Sequence, residues 1–187
     1  MTLHTSAPAD RRAAWEADSE LLDVFRDKPT DIIAFVEHCS GADLHGFDMI
    51  HGVPAEVEIY RAILTHPECD RSTALNIFEA CDPHFYEQQF AKGRTTADMA
   101  EPDDQTMIAI LDLAHAELCK RPGWRARFAC SALAIWQELP ERSPVGFSRW
   151  PLPAACLTEP EGQILQPMVT YSFSTIRLTY QAWALRQ

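Results

Sequence analysis

One segment, DRSTALNIFEA, spanning residues 70–80, admits a single local structure and limits what the chain around it can become. Asp70 is a good N-cap, and Ser72 and Thr73 suit a first turn. Ala74, Ile77, Phe78 and Cys81 recur at helical spacing as an apolar stripe. Asp82-Pro83 closes the helix, because a residue before proline avoids helical geometry. This helix decides a question of chemistry. His66-x-x-Cys69 and Cys81-x-x-His84 are spaced like two halves of a zinc site, whose ligand atoms must lie within about 4 Å of each other. A rise of ~1.5 Å per residue puts Cys69 and Cys81 about 18 Å apart, too far for a shared metal or disulfide. The expectation is no metal and no cofactor.

The polar residues Ser72, Asn76 and Glu79 fall on one face of the same helix, which reads as a solvated face. On a later helix His115 and Cys119 sit four apart, a spacing that can present two ligands but supplies no third. A half-buried histidine near a helix end accounts for it, and Asp112 and Glu117 read as that helix's solvated side. The seven glycines form no phosphate loop, and no G-x-S-x-G elbow occurs. No local signature pairs any of the six cysteines with any of the seven histidines. The catalytic candidates that remain are His66, Asp70, Glu79, Asp82 and His84.

The 187 residues suit one domain, mainly α, an irregular helical domain. Residues 9–90 read as a helical half. It holds a helix from Asp10 to Arg26, a second one capped by Thr30 and running through Cys39, a short piece LHGFDMI, and a helix to Thr65 with Pro54 in its first turn. Residues 91–104 are polar without periodicity, an exposed loop or linker. Residues 105–187 hold a helical hairpin, Gln105–Cys119 and Trp124–Leu139, broken at Pro122-Gly123. A crossing with six prolines follows, from Pro140 to Pro167. In the C-terminal element, residues 168–181 fit either a helix or a small β-hairpin. Their β-branched and aromatic content favours the hairpin, whereas Ser174-Thr175 lacks the glycine or asparagine of a tight turn.

The net charge of -11 argues against nucleic acid and anionic membrane as partners, since both demand a basic face. It suits a basic protein partner, whose encounter complementary charge would speed. Glu101, Asp103 and Asp104 form the candidate binding set. The basic cluster KRPGWRAR reads as helix-end cations and internal ion pairs. No apolar run approaches the ~20 residues needed to span a bilayer, and the first residues lack the pattern of a signal peptide. With the six cysteines read as reduced thiols, the expected location is cytoplasmic.

Residues 44–87, LHGFDMIHGVPAEVEIYRAILTHPECDRSTALNIFEACDPHFYE, resemble a bacterial domain-of-unknown-function family. The features that carry the resemblance are Pro54 opening one helix, the step His66-Pro67-x-Cys69-Asp70, and a second helix begun by Thr73-Ala74-Leu75 and carrying Phe78. Ser72 stands where that family usually has glycine. The resemblance implies a small helical module and no particular reaction. The leading functional expectation is a non-catalytic protein-binding module, most concretely an immunity-type inhibitor that covers a basic toxin. The alternatives are a small enzyme whose site is assembled from distant residues and a homodimeric structural module.

Overall fold

The computed structural model describes residues 29–47, 57–99, 101–121, 124–128 and 130–158. The expected helix over residues 10–26 and the helix-or-hairpin alternative at 168–181 lie outside them. Among the described residues the fold is helical and holds no strand: α1 Pro29–Val36, α2 Gly41–Phe47, α3 Val57–Thr65, α4 Arg71–Ala80, α5 Pro83–Ala91, α6 Pro102–Lys120 and α7 Ser131–Glu138. No described helix is long and apolar enough to cross a membrane.

Helix boundaries follow local chemistry. Pro29 opens α1, so Thr30 lies inside the helix and is not its cap; the helix stops at Val36, short of Cys39. Ser40 then caps α2: its hydroxyl accepts from the Asp43 amide, and the Asp43 carboxylate accepts from the Ser40 amide at 2.9 Å. Gly41 therefore begins a helix. Its lack of a side chain is required, because a Cβ there would come within 2.6 Å of Arg127 Nη2 and 2.7 Å of the Glu68 carbonyl oxygen. Asp82-Pro83 ends α4 as expected, and Pro83 also starts α5, with Asp82 in the left-handed region at φ 47°. Asp is one of the few side chains that tolerate that region. The loop expected over residues 91–104 is shorter than its composition suggested. It carries a 3-10 turn at Thr96–Asp98, and α6 begins at Pro102 with Asp103 and Asp104 in the first turn, where carboxylates meet the positive end of the helix dipole.

The layout is organised around α4. Every residue from Arg71 to Glu79 is buried. Helix α6 packs on its apolar side with Ile108, Ile110, Leu111, Ala114 and Leu118, and α3 supplies Ile59, Ile63 and Leu64 to the same core. The proline-rich crossing is described through residue 158. It turns at Pro140–Arg142, Pro144–Gly146 and Ala154–Leu157, and buries Trp150, Leu152 and Cys156 in the core. Arg71, itself buried, holds the crossing with 2.8 Å bonds from its guanidinium to the carbonyls of Ala155 and Thr158.

The main departure from the expected layout lies between Trp124 and Leu139. Only Ser131–Glu138 is helical; the described residues of 124–130 form no helix. Their hydrogen bonds explain why. The Arg125 carbonyl accepts from the Arg71 amide at 2.9 Å, the Phe128 carbonyl accepts from the Ser72 hydroxyl at 2.8 Å, and the Arg127 amide donates to Asp70 Oδ2 at 2.7 Å. These backbone groups are consumed by α4, so none is left to build a helical turn.

Candidate functional site

The structure corrects the reading of Ser72, Asn76 and Glu79. All three are buried, and each binds the 124–142 segment. Ser72 takes Phe128, and Asn76 Oδ1 accepts from the Ala132 amide at 3.1 Å. Glu79 Oε2 accepts from the Trp136 indole at 2.7 Å, and Glu79 Oε1 pairs with Arg142 at 2.9 Å. With Asp70 at the helix start, these residues form a polar rail along one side of α4. The later segment is laid down on it in the same order. Asn76 also stands in for the cap that Cys130 does not provide at the start of α7. Asn76→Ala should therefore lower the unfolding free energy by about 1–2 kcal/mol, the cost of an orphaned buried amide. An unchanged denaturation midpoint would show that Ala132 finds another acceptor.

The rail separates the catalytic candidates into two ends. At the start of α4, His66 Nδ1 accepts from the Glu68 amide in a turn, and Asp70, 1% exposed, caps Ser72 at 2.8 Å while holding Arg127. At the far end, Arg142 joins Glu79 to Asp82, and His84 lies 2.6 Å from Gln88 on α5. A helix the length of α4 keeps these groups about 14 Å apart. They do not share one site.

Burial pushes the Glu79 carboxyl above the ordinary carboxylate range, although the Trp136 indole and the Arg142 guanidinium pull it back. Burial raises the Cys39 thiol to about 12, with nearby Asp43 adding to the effect. Burial also raises Cys119 and Cys156. A nucleophilic cysteine needs the opposite shift. None of the six cysteines is in a disulfide, and among the described residues no group of three or more His, Cys, Asp and Glu side chains is placed to hold a metal ion. His115 is half-buried, as expected, with Nε2 3.0 Å from the Pro151 carbonyl. Asp112 is exposed and accepts from the Trp150 indole at 2.8 Å. Glu117 departs from expectation. It is buried, with Lys120 at 2.6 Å and Arg121 at 3.2 Å.

Of the candidate binding set, Glu101 and Asp103 are exposed. Asp104 accepts from the Tyr86 hydroxyl at 2.8 Å and so joins α6 to α5; burial first and this carboxylate next keep the phenol protonated. What the sequence reading missed is a groove of about 570 Å³ between α5 and the 136–147 segment. His84, Glu87, Gln88 and Ala91 form one wall at helical spacing, the two turns around Glu141 and Val145 form the other, and Trp136 and Phe147 line it between them. The α5 periodicity was the available signal, but the opposite wall comes from residues more than fifty positions away. Comparison of the chain with protein-family models, curated proteins and solved structures gives no match.

Proposed function

We propose that this chain is a non-catalytic protein-binding module whose partner is basic, an immunity-type inhibitor of a basic toxin being its most concrete form. One observation carries this reading: most of the described cations are engaged with carboxylates or carbonyls of the fold, while Lys92, Arg94 and Arg125 stand exposed outside such ion pairs. Arg61 pairs with Glu58, Arg121 with Glu117, Arg127 with Glu68 and Asp70, Arg142 with Glu79 and Asp82, and Arg149 with Asp112. Arg71 binds carbonyls of the crossing. Outside stand the exposed carboxylates Asp31, Glu37, Glu101, Asp103, Glu138 and Glu141. A surface of that sign raises the encounter rate of a basic protein and repels an acidic one. The dispersal and structural engagement of the catalytic candidates favour binding over the enzyme alternative.

The test is the association rate with a panel of basic helical peptides and their acidic counterparts, at low and high salt. Basic members should associate faster, by about tenfold or more at low salt, and the advantage should fade as screening shortens to ~8 Å or less. Reversing Glu101 and Asp103 to lysine, which leaves the Tyr86–Asp104 bond in place, should reduce it. Rates insensitive to both salt and peptide charge would leave the acidity as a means of solubility alone.

A further inference from the structure

The groove between α5 and the 136–147 segment is built like a receptor with fixed walls. Arg142, which does not line the groove, anchors its outer wall through bonds to Glu79 and Asp82. Glu87, on the α5 wall, accepts from the Ser148 hydroxyl and from the amides of Ser148 and Arg149, which fixes the chain just past Phe147. Pro140 and the buried Pro144 stiffen the turns between these anchors. Walls held this way cost little ordering when a ligand enters.

The lining is apolar with a negative margin. Trp136, Phe147 and Ala91 offer rings and a methyl group, and Val145, 67% exposed, stands on the rim. Glu87 and Glu141 carry the charge, and among the described residues no lysine or arginine lines the groove. We infer that this groove is the docking site for a segment of the basic partner that inserts an arginine or lysine flanked by an apolar side chain. The long aliphatic stem would lie against Trp136 and Phe147, as such stems do on apolar surface, while the cation faces Glu87 and Glu141. The apolar neighbour would cover Val145. This inference rests on the basic-partner reading above and adds where the partner seats.

The test uses the intact chain and fluorescence anisotropy of labelled peptides carrying Arg-x-x-Leu, with citrulline-x-x-Leu and Arg-x-x-Ser as matched controls. The Arg-x-x-Leu peptide should bind, and each control should bind about tenfold more weakly, since one lost charge pair or apolar anchor at an interface costs that much or more. Glu141→Lys and Val145→Asp change exposed side chains without an anchoring role and should weaken binding by a similar factor, with an unchanged helical circular dichroism spectrum. Glu101→Lys/Asp103→Lys should slow association and leave the dissociation rate unaltered. If basic peptides bind and the groove variants bind them as well as the parent, the groove assignment is wrong while the basic-partner reading stands. If no basic peptide binds more tightly than its acidic counterpart, both are wrong.

Discussion

Asp70→Ala should destabilise the protein by about 3 kcal/mol, well beyond the ~1 kcal/mol expected of an ordinary N-cap. The excess comes from the second oxygen. Oδ1 caps the Ser72 amide, while Oδ2 accepts the Arg127 amide at 2.7 Å, so truncation strands buried or half-buried amides at both ends. Each orphaned donor costs about 1–3 kcal/mol. The side-chain contact of Arg127 with the same carboxylate, at 3.4 Å and half in water, adds little. The two roles can be separated. Asp70→Ser keeps a capping oxygen too short to reach residue 127 and should recover about 1 kcal/mol of the loss. Urea midpoints of the three proteins give the comparison. An alanine variant that loses only what a cap is worth would mean that Arg127 is held without this carboxylate.

Why the helices were legible in the sequence, and the rail was not, comes down to where each signal is stored. Asp70 with the stripe Ala74, Ile77 and Phe78 needs only its own neighbours to declare a helix, and the break at Asp82-Pro83 is equally local. The expectation that Cys69 and Cys81 lie about 18 Å apart rests on that same local geometry. In contrast, Ser72, Asn76 and Glu79 look like any exposed polar face until the chain fifty to sixty residues later is laid against them. The same long-range contact explains the misread stretch from Trp124. Its aromatic and apolar residues at near-helical spacing suggest a helix, but the amides and carbonyls of Arg125, Arg127 and Phe128 find better-placed partners on α4. Glu117 fails as a solvated residue for a similar reason. Lys120 and Arg121, three and four residues on, both pair with its buried carboxylate. A buried acid flanked by two cations leaves the same local pattern as a surface ion pair.

Glu79→Ala should be as costly as the loss of Asp70, about 3 kcal/mol, and should also loosen the groove. The carboxylate receives the Trp136 indole at 2.7 Å and Arg142 at 2.9 Å. Removing it leaves a buried indole N–H without an acceptor and deprives Arg142 of its inner partner, losses of ~1–3 kcal/mol each. Glu79→Gln keeps an oxygen for Trp136 and should cost less. The glutamine variant also isolates the titration. Burial raises the Glu79 carboxyl above its model-compound value of 4.5, so the folded chain holds that proton more tightly than the unfolded chain does. The stability linked to the proton is then fully present below pH 4.5 and fades as pH rises through the folded value. Glutamine has no such titration. The wild-type chain should therefore gain stability relative to Glu79→Gln as pH falls from neutrality towards 4.5, and the gap should stay level below it. Urea midpoints of the two proteins at stepped pH read this directly. A gap that moves the other way, with acid weakening the wild type more than the glutamine variant, would mean that the attraction of Arg142 outweighs the burial of the carboxylate. The clasp at the end of α4 would then be held by its charge pair, and protonation would release the wall of the groove that Arg142 anchors.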